Sequence, residues 1–207
     1  MARLILVRHG HTDWNQQMRY QGQTDIALNE KGIEQSRRAA RRLAAEKIDT
    51  IYSSDLKRAL HTARIIAAEH GMQEAVHETP VLREMNFGEL EGLRFDEIDE
   101  KYRLIFSADA SWRNAGPNIR VPGGESISDM SSRIERFISE LSRHRQNETV
   151  LVVSHGGPLQ VLTCLLLEVG IEHWWQLRFS AASISVIENH PSGASLTFLN
   201  STSHLDG

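Results

Sequence analysis

The sequence contains a single cysteine, so the chain cannot form a disulfide within itself. Chains without disulfides are typical of reducing compartments, and we expect Cys164, which lies in a leucine-rich stretch, to be a buried structural thiol. The apolar run after Met1 ends at Arg8 and is too short for a secretory leader or a membrane-spanning helix. We therefore predict a cytoplasmic protein.

A strong charge of either sign is also missing. The formal net charge is −4, with 24% charged and 40% hydrophobic residues. This balance gives no global attraction to nucleic acid or to an anionic membrane, and it argues against a disordered or fibrous protein. We expect the arginine-rich face at residues 37–42 to be a solvated helix surface. An anionic ligand would therefore need a local cluster of cations.

Apolar strands alternate with amphipathic helices along the chain. Segments 4–7, 50–53 and 149–153 read as buried strands, and segments 182–188 and 195–200 as an antiparallel pair. The predicted fold class is α/β, with a doubly wound, mostly parallel sheet, helices on both faces and an antiparallel element near the C-terminus. At this length we expect one domain, residues 1–207.

Two local predictions bear on the site. A helix over residues 56–70 follows the second strand, and the three polar residues at 53–55 are suited to capping it. Its first turn carries Arg58, which would point back toward the strand end. A segment at about 85–125, which includes Trp112, is expected to form a small helical cap.

Cationic and imidazole side chains follow three of the predicted strands. Arg8 and His9 end the first, Arg58 follows the second, and His155 follows the strand at 149–153. Because parallel strands end at one edge of the sheet, we expect these side chains to meet there. Two guanidinium groups match the oxygens of a phosphoryl group, and imidazoles can donate the remaining hydrogen bonds. The pattern predicts a phosphate pocket.

Two histidines in such a pocket suggest phosphoryl transfer. His9 is the candidate nucleophile, since Gly10 allows a close backbone approach and its carbonyl could set the tautomer of the ring. His155 would then stabilise the transferring group. Glu84, in a loop rich in helix breakers, could give a proton to the departing alkoxide.

These residues resemble the histidine phosphatase superfamily, also called phosphoglycerate mutase-like, and its phosphatase branch of α-ribazole and broad-specificity phosphatases. The resemblance implies a phosphohistidine on His9 and Glu84 as proton donor. It further implies phosphate contacts from Arg8, Asn15, Gln23, Arg58, His155 and Gly156. Its motifs lie at residues 6–15, 53–59, 122–126, 153–157 and 200–205.

One motif position departs from the family pattern. His11 stands where most relatives carry glutamate or glutamine, which adds a titratable group beside the pocket. The loop at residues 19–25 resembles that of the phosphatases named above. It implies a small organic phosphate ester as substrate, such as a nucleoside or sugar phosphate or phosphoglycerate, with no cofactor and no metal.

Three alternatives stay open at this point. The family also contains cofactor-dependent phosphoglycerate mutases, but the short stretch between Glu84 and His155 favours hydrolysis by water. His9, His11 and Asp13 have a spacing that could bind zinc in a metal hydrolase. A protein that only binds a phosphorylated ligand would not need Glu84. Trp174 and Trp175 suit either the core or a subunit contact, which leaves a homodimer open.

Overall fold

A computed structural model describes residues 2–94, 96–98 and 116–206. The strands are β1 (Arg3–Arg8), β2 (Thr50–Ser54), β3 (Val76–Thr79), β4 (Thr149–Ser154), β5 (Ile184–His190) and β6 (Gly193–Ser201). In the described part of the chain they form a six-stranded sheet in the order β3-β2-β4-β1-β5-β6. The strands from β3 to β1 are parallel, whereas β5 and β6 are antiparallel. The predicted mixed sheet is confirmed.

Helices cover both faces of this sheet. The α-helices are α1 (Asp13–Gln16), α2 (Glu30–Leu43), α3 (Lys57–Glu69), α4 (Ile127–Leu141) and α5 (Gly156–Leu166). Short 3-10 helices lie at Gln73–Ala75, Pro80–Leu82, Gly88–Leu90, Ile171–Gln176 and Ser203–Leu205. Apolar side chains of α2 and α3 pack in one core, and those of α4 and α5 pack in the other. The doubly wound arrangement is thus confirmed.

The central strands are packed on both faces. In β1, Leu4 and Leu6 belong to one core, whereas Ile5 and Val7 belong to the other. Successive side chains of a strand point to opposite faces, so a strand covered on both faces must be apolar throughout. All six residues of β4 are likewise buried. Whatever follows these two strands is therefore held by well-packed backbone.

The predicted cap of α3 is wrong. Its N-cap residue is Leu56, which offers no side-chain hydrogen bond. The first N–H of the helix, that of Lys57, donates instead to Oδ1 of Asp25 at 2.8 Å. The hydroxyl of Ser54 accepts from the Leu56 N–H at 3.3 Å, and Asp55 pairs with the guanidinium of Arg83. A carboxylate from a distant loop has replaced the local cap, which no local pattern could reveal.

The predicted cap segment at 85–125 is described only in part. Residue 95 and residues 99–115, which include Trp112, lie outside the described residues. Among the described helices, none is long and apolar enough to cross a membrane. Cys164 is buried in α5, and burial raises the pKa of its thiol to about 11. This agrees with the structural thiol that we expected.

Candidate active site

The ends of β1 and β4 bring the two histidines together. The strands pair in parallel with Arg8 opposite Ser154, and the N–H of His9 donates to the Ser154 carbonyl at 3.0 Å. The rings of His9 and His155 lie with their centroids 5.0 Å apart, and both residues are buried. The predicted meeting of strand ends therefore occurs.

The backbone sets the tautomer of His9. Its Nδ1 lies 2.7 Å from the Gly10 carbonyl oxygen, so Nδ1 must carry the proton that is donated. Burial, then the charges of Arg58 and Arg8, hold the pKa of His9 well below its usual value. The ring is therefore neutral, with a lone pair on Nε2. A Cβ at Gly10 would overlap the backbone of Gly32, so this close approach needs glycine.

The two arginines are anchored by backbone carbonyls. Arg8 donates from Nη1 to the Phe179 carbonyl at 2.6 Å. Arg58 is fully buried and donates to the carbonyls of Gly22 at 2.6 Å and Thr24 at 2.9 Å. Burial lowers the pKa of Arg58 to about 10, against the opposing charge of Glu84, so the group remains a cation at neutral pH.

Ser54 orients His155. Its Oγ lies 2.8 Å from Nε2 of the ring and already accepts from the Leu56 N–H, so its own hydrogen is available for Nε2. Burial, with Arg58 and His9 next, holds the pKa of His155 well below its usual value. A neutral ring that accepts this hydrogen at Nε2 carries its own proton on Nδ1. Ser54 therefore contacts a predicted site residue, although we predicted it only as a helix cap.

Three buried nitrogen donors at this site lack an acceptor in the described part of the chain. They are Nε of Arg8, Nε of Arg58 and Nδ1 of His155. A buried donor without a partner costs about 1–3 kcal/mol, and more when it is charged. Three of them beside one nucleophile indicate a ligand that supplies several oxygen acceptors. A phosphoryl group has that chemistry.

The side chain of Glu84 contacts the first turn of α5. Its Oε1 accepts from the N–H groups of Met85 at 2.9 Å and Gly157 at 3.1 Å. A Cβ at Gly157 would lie 2.5 Å from this oxygen, so a larger residue there would displace the Glu84 side chain. From the side of α4, Arg133 donates to the Glu84 carbonyl at 3.0 Å and pairs with Glu125 at 3.0 Å. The candidate proton donor is therefore held at both its backbone and its side chain.

A cavity of about 190 Å³ opens at this edge of the sheet. Six of the eight predicted residues line it: Arg8, His9, Asn15, Arg58, Glu84 and Gly156. His155 is not among the lining residues, but its ring centroid lies 5.0 Å from that of His9. Gln23 does not line the cavity, because its side-chain amide donates to the Glu84 carbonyl at 3.2 Å. The predicted phosphate contact of Gln23 stays a prediction.

Strand ends alone do not predict the outer wall of the cavity. The residues that we did not predict as phosphate contacts are Arg19, Tyr20, Gln21, Gly22, Met85, Phe87, Met130, Gly157, Gln160, Trp174 and Phe179. Tyr20, Gln21 and Gly22 belong to the loop at 19–25 that the family resemblance singled out. Met85 and Phe87 read equally well as packing residues. Trp174 is buried and Trp175 is exposed.

The zinc alternative lacks a suitable set of ligands. Among the described residues, no three His, Cys, Asp or Glu side chains are placed to hold a metal ion. Asp13 instead accepts from the Asn29 amide at 3.1 Å, and His9 uses Nδ1 for the Gly10 carbonyl. His11 is half-buried, and burial, with the charge of Lys31, lowers its pKa.

The buried histidines predict a pH dependence of stability. In the folded chain the pKa values of His9 and His155 lie below 6.5. As the pH falls below 6.5, these two histidines therefore gain protons in the unfolded chain but remain neutral in the folded chain. We expect the free energy of unfolding to fall by about 1.4 kcal/mol per pH unit for each histidine. Urea unfolding between pH 6 and pH 5 measures the slope. His155→Asn should reduce it by one histidine's share, whereas the exposed control His61→Asn should leave it unchanged. An unchanged slope in His155→Asn would contradict a neutral His155.

A family model matches most of the chain. The model of the histidine phosphatase superfamily, branch 1, matches residues 4–202. A phosphoserine phosphatase 1 of Hydrogenobacter thermophilus is 36% identical over 205 residues, 99% of this chain and 95% of the relative. A metal-independent phosphoserine phosphatase of Arabidopsis thaliana is 38% identical over 164 residues, 78% of this chain and 67% of the relative. A probable phosphoglycerate mutase of Erwinia tasmaniensis is 36% identical over 196 residues, 93% and 87% of the two chains.

Solved structures share the whole fold. A mycobacterial glucosyl-3-phosphoglycerate phosphatase in complex with VO3 superposes with a TM-score of 0.85 and 32% identity, covering 97% of this chain and 99% of that one. The α-ribazole phosphatase of Shigella flexneri superposes with a TM-score of 0.86 and 34% identity, covering 96% of each chain. Both proteins are named as phosphatases, and their names give different phosphate esters as substrates.

Proposed function

The chain belongs to the histidine phosphatase superfamily and is a phosphatase, and from this premise we propose that it hydrolyses small phosphate monoesters through a phosphohistidine on His9. The family and the phosphatase activity confirm the expectations from the sequence. The proposal concerns the residues that do the chemistry and the ester that they act on. The continuous match over residues 4–202 also supports a single domain.

In the first step, the lone pair of His9 Nε2 attacks phosphorus and the bond to the ester oxygen breaks. Arg8, Arg58 and Nδ1 of His155 donate to the three phosphoryl oxygens as their charge shifts. Glu84 in its acid form gives a proton to the leaving alkoxide.

In the second step, Glu84 accepts a proton from water while that water attacks the phosphohistidine. The bond between phosphorus and Nε2 breaks, inorganic phosphate forms and His9 regains its lone pair. The N–H groups of Met85 and Gly157 hold the side chain of Glu84 in place for this step. The observation that carries the proposal is that three nitrogens around a neutral His9 have no hydrogen-bond partner among the described residues.

Vanadate and chelator experiments test the mechanism. We expect EDTA to leave the hydrolysis of 4-nitrophenyl phosphate unchanged, since the proposed donors are nitrogen atoms of the chain. We expect vanadate to inhibit, because its trigonal-bipyramidal form matches the geometry of the transferring group. Loss of activity in EDTA with recovery on addition of zinc would contradict the proposal and revive the metal alternative.

The substrate is proposed as a small organic phosphate with a sugar, nucleoside or amino acid leaving group. A panel should compare phosphoserine, α-ribazole phosphate, glucosyl-3-phosphoglycerate and 3-phosphoglycerate, the last also for mutase exchange. Hydrolysis of one ester at a kcat/KM well above the others would identify the class. Phosphoryl exchange faster than hydrolysis would favour the mutase alternative, which similarity to a probable mutase supports. A homodimer and a cytoplasmic location stay predictions.

A further inference from the structure

The loop at residues 21–25 determines how Arg58 faces the cavity. This loop contains neither helix nor strand, yet its Gly22 and Thr24 carbonyls accept from the two terminal nitrogens of Arg58. Those two bonds fix the plane of the guanidinium group and leave Nε without a partner in the described residues. A shift of either carbonyl would therefore turn Nε away from its place in the pocket.

The carboxylate of Glu91 holds this loop in place. Its Oε1 accepts from the N–H of Gln23 at 2.9 Å, and its Oε2 accepts from the N–H of Thr24 at 2.9 Å. The Thr24 hydroxyl also donates to Oε2, and the N–H of Phe87 donates to Oε1 at 3.1 Å. One side chain thus binds two successive N–H groups that lie between the two carbonyls used by Arg58.

The backbone of Gly22 is shaped around the same carboxylate. Gly22 has φ of +53°, and a Cβ at this position would overlap the side chain of Glu91. Glu91 itself is not among the residues that line the cavity, and its carboxylate is hydrogen-bonded to the loop. The hydrogen bonds that connect Glu91 to Arg58 run through the loop, whereas its negative charge acts on Arg58 directly and raises the pKa of that group.

We infer that Glu91 is a positioning residue, which sets the orientation of the Arg58 guanidinium group by anchoring the loop at 21–25. The inference rests on the proposed function, in which Arg58 donates to the phosphoryl group. A glutamine at this position has the same shape but presents an NH₂ group to at least one backbone N–H, where two donors then face each other. Glu91→Gln should therefore displace the loop, and with it the guanidinium group of Arg58, without removing a side chain that lines the cavity.

A double-mutant cycle tests the inference. The four proteins are the wild type, Glu91→Gln, Arg58→Ala and the double variant, assayed on 4-nitrophenyl phosphate with vanadate inhibition as a second readout. We expect Glu91→Gln to lower kcat by about 10-fold and to weaken vanadate inhibition by a similar factor, with little change in KM. In the Arg58→Ala background the same substitution should change kcat by less than about 2-fold, because residues that act as one unit are not additive.

Glu148→Gln is the matched control. Glu148 accepts from the Arg145 N–H at 3.2 Å and from the His144 ring at 3.0 Å, in a loop that does not line the cavity. We expect this variant to lower the unfolding temperature without changing kcat or vanadate inhibition. If Glu91→Gln does not fold, Thr24→Val removes one donor to Glu91 at nearly constant shape and enters the cycle in its place.

The outcomes separate two failures. If Arg58→Ala keeps its activity and its inhibition by vanadate, Arg58 does not bind the phosphoryl group, and the proposed pocket fails together with this inference. If Arg58→Ala is impaired but Glu91→Gln has no effect, or has an equal effect in both backgrounds, the pocket stands and the positioning role of Glu91 is overturned. The inference is supported only if Glu91→Gln lowers kcat in the wild-type background and has almost no further effect in the Arg58→Ala background.

Discussion

Replacing His9 by alanine is expected to lower kcat by on the order of 10⁴-fold or more, because it removes the only atom that is placed to attack phosphorus in the proposed mechanism. Arg8, Arg58 and His155 remain in the variant, so inorganic phosphate should still bind. The wild type should acquire radiolabel from a ³²P-labelled ester on His9, in a form that is stable in alkali and lost in acid. His9→Ala should acquire none.

The control for this prediction is His61→Ala, which removes an exposed imidazole of α3. It should keep both the label and the activity. Full activity in His9→Ala, or label that maps to another residue of the wild type, would refute the covalent mechanism on His9. Loss of phosphate binding in His9→Ala would instead indicate that the substitution disturbs the pocket, and binding should therefore be measured by calorimetry on the same preparation.

Replacing Glu84 by glutamine is expected to separate good from poor leaving groups. An alkyl phosphate needs a proton on its departing oxygen, so kcat/KM for such an ester should fall by about 10²–10³-fold. A 4-nitrophenolate leaves readily without a proton, and the loss on 4-nitrophenyl phosphate should be less than about 10-fold. Steady-state rates on the two esters, measured with one enzyme preparation, give the comparison.

Glu89→Gln serves as the neighbouring control for Glu84, since Glu89 is exposed and does not line the cavity. It should leave both rates unchanged. Equal losses on the alkyl and the aryl ester in Glu84→Gln would remove Glu84 from the acid role. They would point instead to its hydrogen bond with Gly157 as a support of the α5 terminus.

Much of the site could be predicted because it follows local rules of sequence. The apolar runs before His9 and His155 mark strands that are buried on both faces, and the parallel crossover places their ends at one edge. The His9 tautomer depends on the next residue only, through the Gly10 carbonyl. Arg58 was predictable because one helical turn separates it from the end of β2.

Other parts depended on contacts between segments far apart in sequence. Ser54 reads as a helix cap, yet it binds His155, which lies 101 residues away. Gln23 resembles a phosphate contact, yet its amide lies on the Glu84 carbonyl, 61 residues away. Side-chain hydrogen bonds of this kind are chosen by which partner lies within about 3 Å in the folded chain. No periodicity or spacing encodes that choice.

The sequence by itself therefore determined the fold class, the family and which candidate residues meet at the sheet edge, since these follow from strand patterns, strand ends and a short motif. The tertiary structure decided how those groups are oriented. It bonded the loop at 21–25 to both Arg58 and Glu91. It also left three nitrogens beside His9 without a partner in the part of the chain that the structure describes. The physical reason is that the strand order sets where the backbone of each site residue lies. The orientation of its hydrogen-bond donors depends on acceptors that other segments of the chain supply.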